Sequence, residues 1–175
     1  MSKTVTPFTS QLVQFATSLS FAEVVSRLEK EINKEGSGNI LERIFATKST
    51  DPTELEGLVA QVTGGRNFLY FHQIEFSTLL QRFNGGKPQP RCAVYTIGNP
   101  LFAQAILKRN RQAAYHIPPR LLITENEDQS GTTVSYHLPS DSMAVTADPN
   151  DAVLKERLDD LSAKLEDLVT KITQA

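Results

Sequence analysis

The sequence predicts an α+β protein in which an antiparallel-rich sheet is covered by helices. Its 175 residues match the size of one ordinary domain. Short alternating or β-branched segments recur along the chain, and capped helical repeats lie between and after them. The expected order is a strand, a helix, inserted helices, then four strands with an intervening helix, and a terminal helix. We therefore treat residues 1–175 as a single domain.

The amino-acid composition narrows the classes of function and partner expected for this protein. Hydrophobic residues make up 39% and charged residues 22%, and the net charge is −2. Such a chain has no overall basic field that would attract nucleic acid or an anionic membrane, so neither partner is expected. The first ten residues lack the apolar core of a signal peptide, and the single cysteine, Cys92, excludes an internal disulfide. These features predict a cytoplasmic protein.

The N-terminal part is predicted to be a strand followed by a helix. Residues 11–17 form a short, partly alternating segment that is typical of a strand. Ser20 and Glu23 have capping-box spacing, and apolar residues then recur every three or four positions until Gly36. This helix is expected to cover the sheet.

Residues 37–66 carry two further helical patterns. Asp51 followed by Pro52 predicts the start of the second of these helices, and the Gly64-Gly65 pair predicts its end. We interpret these patterns as two short helices.

The remaining strands lie in the second half of the chain. Residues 67–75 are aromatic and β-branched, and residues 91–97 are mostly apolar, which predicts a central strand buried on both faces. Residues 121–124 and 132–137 flank the polar segment 126–131, so they are predicted to pair as an antiparallel hairpin.

Two helices are predicted beside the strand at residues 91–97. The first is brief and covers residues 77–83. The second follows Gly98-Asn99-Pro100, where Asn99 can cap and Pro100 fits the first turn, and it runs to about Asn110. The free amides at its start are of the kind that attract phosphate or carboxylate groups.

The terminal helix, at residues 151–174, has the most regular pattern of the chain. Its apolar residues follow the spacing of a heptad seam: Leu154, Leu158, Leu161, Leu165, Leu168 and Ile172. The pattern is too short to decide between a helix that packs on its own sheet and one that pairs between subunits. We favour packing on its own sheet, and keep pairing as the alternative.

The segment from Val94 to Tyr136 also carries an ordered set of motifs. These are Tyr95-Thr-Ile-Gly-Asn-Pro100, Ala105-Ile-Leu with Asn110, Ala114, Pro118, Leu121-Leu-Ile-Thr-Glu125 and Val134-Ser-Tyr136. In order and spacing this set resembles the domain of unknown function 302 family. The resemblance covers about residues 69–175 with the first strand and helix. It implies a TATA-binding-protein-like α+β fold, usually seen as a dimer, and no established activity.

Two features depart from that family. Many members carry an Ile-Asp-His run on the second strand, where this chain has Ile74-Glu75-Phe76 and therefore keeps a carboxylate but loses the imidazole. The other departure is residues 37–66, which by comparison with that family are a helical insertion, expected to cover a pocket or a dimer edge.

The candidate catalytic residues are His72, Glu75 and Tyr95. His72 and Glu75 lie three residues apart on one strand, so they are expected to point to opposite faces. His72 is either a half-exposed sheet histidine or a general acid or base, and Glu75 either caps a turn or acts as a buried base. Tyr95 or Tyr136 would polarise a substrate oxygen.

The candidate ligand-binding residues surround an expected apolar cleft between the sheet and its helices. They are Tyr70, His72, Tyr95, Asn99, Pro100 and Tyr136, with Tyr115 and His116 at the mouth. A rigid turn is the structural alternative for the segment that contains Tyr115 and His116.

Three functions fit the sequence. The first is a binding or accessory domain for a small apolar or aromatic molecule. The second is a cofactor-free isomerase, lyase or cyclase with His72 or Glu75 as its base. The third is a homodimeric scaffold that uses the terminal helix and residues 37–66. No metal or cofactor is expected, because the three histidines are far apart in sequence and no phosphate-loop motif occurs.

Overall fold

The structure, a computed structural model that describes all 175 residues, combines one five-stranded antiparallel sheet with eight α-helices and one 3-10 helix. The predicted α+β class is confirmed. In chain order the elements are β1 (Leu12–Thr17), α1 (Phe21–Glu31), α2 (Lys34–Ser37), α3 (Ile40–Ala46), α4 (Pro52–Thr63), β2 (Leu69–Glu75), α5 (Phe76–Phe83), β3 (Cys92–Gly98), α6 (Pro100–Leu107), the 3-10 helix (Arg111–His116), β4 (Arg120–Glu125), β5 (Thr132–His137), α7 (Pro139–Ser142) and α8 (Ala152–Thr173).

The sheet has the strand order β1-β5-β4-β3-β2, so β1 and β2 are its edges. The predicted hairpin between β4 and β5 is confirmed by their antiparallel register. On β3, Ala93, Tyr95 and Ile97 are fully buried, whereas Val94 on the other face is only half-buried. The prediction that β3 is buried on both faces is therefore wrong, because the helices cover one face of the sheet only.

Helices α1 and α8 build the main core on the covered face. The hydroxyl of Ser20 accepts a hydrogen bond from the Glu23 amide at 3.2 Å, which is one half of the predicted capping box. The other half is absent, because the Glu23 carboxylate pairs with Arg27 at 2.8 Å. The heptad seam of α8 faces its own sheet, and Leu165 and Ile172 are fully buried there. Burial of one such side chain contributes about 1.5–3 kcal/mol. The seam therefore belongs to the core, and the alternative of helix pairing between subunits through it is wrong.

Two helix ends differ from the sequence prediction. Helix α1 ends at Glu31 rather than near Gly36, because Asn33 adopts a left-handed conformation with φ 50°. The Asn33 side chain donates a 2.8 Å hydrogen bond to the carbonyl of Val62, a contact across 29 residues. Helix α6 ends at Leu107 instead of Asn110, whose side chain caps the following 3-10 helix.

No helix is both long and apolar enough to span a membrane.

The predicted helices within residues 37–66 are present as α3 and α4. Asp51 caps α4 through the Thr53 amide at 2.9 Å. Together these helices enclose a small second core with the start of β2, formed by Ile40, Val62 and Leu69. That the segment is an insertion relative to the family remains a prediction.

The other face of the sheet carries no helix. Its apolar side chains are exposed to different degrees: Leu122 by 36%, Ile74 by 44% and Leu12 by 55%. Helices therefore cover the sheet on one side only. The opposite side is accessible in the single chain.

Candidate functional site

An apolar pocket lies where β3 ends and α6 begins. Its cavity measures about 200 Å³. Phe68, Ile106 and Leu161 of the main core form its base, and Leu41 of α3 extends its wall. No charged side chain lines it. A preformed concave site with an almost wholly apolar lining is the first candidate for a binding site.

Gly98 shapes this pocket because it has no side chain. A Cβ atom at this position would lie 2.8 Å from the ring of Phe71 and 3.3 Å from Pro118. The absence of a side chain therefore lets Phe71 and Pro118 approach β3 from two non-adjacent segments. Glycine is required at this position because a side chain would collide with these two neighbours.

Asn99 and Pro100 line the pocket, where the sequence analysis expected ligand-binding residues. The Asn99 side-chain oxygen accepts a hydrogen bond from the Leu101 amide at 2.9 Å, and its amide nitrogen donates to the Asn67 carbonyl at 3.3 Å. Asn99 is thus engaged as a helix cap, and Pro100 occupies the first turn of α6.

Tyr115 and His116 lie at a second, adjoining pocket of about 210 Å³. Their rings make an edge-to-face contact with centroids 5.1 Å apart. Arg120 and His137 line the same pocket. The structure thus brings together His116 and His137, which lie 21 positions apart in the sequence. No group of three or more histidine, cysteine, aspartate or glutamate side chains is placed to hold a metal ion.

His72 and Glu75 do not share a site. His72 pairs with Thr96 and is exposed on the open face, whereas Glu75 pairs with Ala93 on the covered side. A bulge in β2 lies between Tyr70 and His72, so it does not bring His72 and Glu75 together. The Glu75 carboxylate instead forms an ion pair with Arg91 at 3.1 Å.

Tyr70 and Tyr95 meet on the covered face, away from the apolar pocket. Their rings are 6.4 Å apart in an edge-to-face arrangement. The Tyr95 hydroxyl donates a 2.7 Å hydrogen bond to Glu29 of α1. Burial, followed by this bond to the Glu29 carboxylate, raises the pKa of Tyr95. Tyr95 is therefore held as a neutral phenol inside the protein.

Tyr136 is also part of the main core and lines neither pocket. Its hydroxyl is buried and has no hydrogen-bond partner. Burial, followed by the charge of Glu166, raises the pKa of Tyr136 to about 12. Cys92 is half-buried, and burial likewise raises the pKa of its thiol, which disfavours the nucleophilic thiolate.

Comparison with known protein families shows which family this chain belongs to. The family model described as domain of unknown function DUF302 matches residues 45–172. The chain belongs to the DUF302 family. The family resemblance seen in the sequence is thereby confirmed.

A solved DUF302 structure shares the fold. The crystal structure of an uncharacterized conserved DUF302 protein from Bacillus stearothermophilus aligns with a TM-score of 0.61 and 18% sequence identity. The alignment covers 92% of this chain and 97% of that chain. No curated protein matches this one. The TATA-binding-protein-like description of the fold stays a prediction.

Sequence reasoning missed most of the pocket of this DUF302 protein. Phe71, Phe102 and Leu41 were not singled out, although all three line the cavity. The available signal was the combination of Gly98 with nearby phenylalanines. This signal was weak, because the residues next to Gly98 in the sequence do not show that Phe71 and Pro118 converge on it.

Proposed function

We propose that this DUF302 domain binds a small apolar or aromatic molecule in the apolar pocket at the end of β3. The observation that carries the proposal is a preformed cavity of about 200 Å³ with mainly aromatic and aliphatic walls. An apolar cavity of about 150 Å³ is enough to bind benzene in an engineered protein. The pocket therefore has room for one ring with short substituents.

The lining favours an uncharged ligand. The polar side chain of the pocket, Asn99, uses its oxygen and its nitrogen in hydrogen bonds to backbone groups. A charged ligand group would lose its hydration here without gaining a partner, which costs several kcal/mol or more. Binding is thus expected to depend on shape and apolar burial.

Toluene binding followed by calorimetry and amide chemical shifts tests this proposal. Ala103 lines the pocket, so Ala103→Leu places three additional carbon atoms at its wall. Ala105→Leu is the matched control, because Ala105 lies on the same helix and outside the pocket. We expect wild type and Ala105→Leu to bind equally, and Ala103→Leu to bind at least about tenfold more weakly. Equal affinity of all three proteins, or no binding by the wild type, would contradict the proposal.

We also propose that two copies of the chain associate through helix α5. The apolar residues of this helix form one stripe, Phe76, Leu79, Leu80 and Phe83, and Phe83 is 85% exposed. Ser77 is the only buried residue of the helix. A helix of eight residues is marginal in water on its own, and an exposed apolar patch of this kind is typical of an interaction site.

A second copy is the partner that fits this surface. Ile74 precedes α5 on the open sheet face, and its cross-strand neighbour Val94 is followed in the same row by Leu122 and Ser135. This row and the apolar stripe of α5 contain no charged residue. The same surface of another chain therefore meets it without like-charge repulsion, and most soluble oligomers are formed by identical chains.

Sedimentation velocity tests this association. We expect the wild type to shift with concentration from 19.4 kDa towards twice that mass. Leu80→Glu and Phe83→Ser are expected to remain at the monomer mass, because charge or lost apolar area on α5 prevents contact. Val153→Glu, at a site that is 40% exposed on α8, is the matched control and should behave as the wild type. A wild type that stays monomeric, or variants that associate as the control does, would refute the association.

A further inference from the structure

The pocket beside the apolar one has a different chemical character. The two pockets share Pro118, Pro119 and Met143. Ten residues line this second cavity of about 210 Å³, and none of them is acidic. Among them are Arg120, whose side chain is always cationic, and two histidines. We name this cavity the basic pocket.

Arg120 has no carboxylate partner. It takes part in none of the ion pairs of the chain. It lies at the start of β4, and His137 lies at the end of the adjacent strand β5. A guanidinium without a counter-charge, in a concave site with two imidazoles, creates a positive potential that attracts anions. The pKa of His116 is lowered first by burial and then by the charges of Arg120 and His137, in agreement with their proximity.

Aromatic rings and a hydroxyl complete the basic pocket. Phe8 makes an edge-to-face contact with His116 at 5.9 Å, and Tyr115 makes another at 5.1 Å. The Ser10 hydroxyl lies 3.3 Å from Nδ1 of His137 and forms a hydrogen bond with it. The pocket thus offers ring contacts next to cationic and neutral hydrogen-bond donors.

We propose that the basic pocket binds a small aromatic anion, with its carboxylate or phosphate group on Arg120 and its ring against Phe8 and Tyr115. A guanidinium donates two parallel hydrogen bonds to such a group, which a lone imidazole cannot do. His116, His137 and Ser10 supply the remaining donors. This site adjoins the apolar pocket but differs from it in having charged lining residues. It lies away from α5, which follows the opposite end of the sheet from Arg120.

Phenyl phosphate is the probe for this site. Its affinity is measured by calorimetry, and its position by the amide shifts of Tyr115, His116, Arg120 and His137, which line the basic pocket and not the apolar one. We expect Arg120→Gln to weaken binding at least about tenfold, because charge-assisted hydrogen bonds to the anion are lost. Arg111→Gln is the matched control: it removes the same charge from an exposed arginine nine positions earlier, outside the pocket. It should bind as the wild type does.

Two further measurements separate this site from the apolar pocket. Ala103→Leu, which fills the apolar pocket, is expected to leave phenyl phosphate affinity unchanged. Toluene has the ring without the anion, so in the Ala103→Leu variant it is expected to leave the amide shifts of Tyr115, His116, Arg120 and His137 unchanged. Absence of phenyl phosphate binding, equal loss in Arg120→Gln and Arg111→Gln, or loss in Ala103→Leu would overturn the assignment.

Discussion

The hydroxyl of Tyr95 on β3 donates a 2.7 Å hydrogen bond to Glu29 on α1. Glu29 also accepts from Lys34 at 2.5 Å, and Lys34 reaches the side-chain oxygen of Gln73 on β2 at 2.9 Å. The Lys34 ammonium lies 5.4 Å from the ring centre of Tyr70, within the range of a cation–π contact. This network joins two helices and two strands at the border of an apolar core.

Tyr95→Phe is expected to lower the free energy of unfolding by about 1–3 kcal/mol, because it removes a hydrogen bond to a charged, half-buried carboxylate. Urea denaturation followed by circular dichroism measures the difference. A double-mutant cycle with Glu29→Ala, which removes the acceptor, should show coupling between the two positions. Additive effects of the two substitutions would mean that the bond contributes nothing.

Tyr136→Phe is expected to change the free energy of unfolding in the opposite direction. The Tyr136 hydroxyl is buried without a partner, and a buried unsatisfied hydroxyl costs about 1–3 kcal/mol. Its removal should therefore raise the free energy of unfolding by about 1 kcal/mol in the same urea experiment. A loss of stability would show that the hydroxyl is bonded in solution. Tyr95→Phe serves as the comparison, since both tyrosines lie on the covered face.

Local chemistry explains why most elements were predictable. Ser20 and Asp51 cap their helices through side-chain contacts within three residues, and Gly64 ends α4 with φ 54°. Such signals are complete in the sequence. The end of α1 was not predictable, because the left-handed Asn33 is bonded to Val62, which is close only in the folded chain.

The candidate site was predictable in part. Asn99 and Pro100 line the apolar pocket, and their cap and turn roles follow from sequence alone. Tyr95 and Tyr136 instead face the core, because α1 and α8 close the space above these strand positions. The pocket opens three residues after Tyr95, at Gly98. The missing side chain of Gly98 matters only because segments distant in sequence converge on it.

Two glycine substitutions are expected to act in opposite directions. A Cβ atom on Gly131 would lie 2.0 Å from the backbone oxygen of Thr17, at a φ of 156°. Gly131→Ala must therefore displace β1 from the β4–β5 turn, and should lower stability by about 1–3 kcal/mol or more. Gly57 in α4 meets no atom within 4 Å, so Gly57→Ala should raise stability by about 0.5–1 kcal/mol. Thermal melts of both variants measure the effects, and a tolerated Gly131→Ala would contradict the close approach.

His116 should make the stability of the protein depend on pH. Burial, then Arg120 and His137, lower its pKa in the folded state relative to the usual value of about 6.5. The unfolded chain therefore binds a proton at a higher pH than the folded chain does. The contribution of His116 to stability is fully present above the unfolded pKa, and it is lost as pH falls through the lower, folded pKa.

Urea denaturation of His116→Gln at several pH values between about 5 and 8 isolates this contribution. The decline of wild-type stability towards acid should be shallower in the variant, because the variant has no imidazole to protonate at this position. Arg120→Gln should give an intermediate slope: it removes one cationic neighbour but leaves the burial of His116, the larger cause, in place. Identical slopes in wild type and His116→Gln would mean that the folded protein does not resist protonation of His116. The charges that converge in the basic pocket would then be too well screened by water to act on one another.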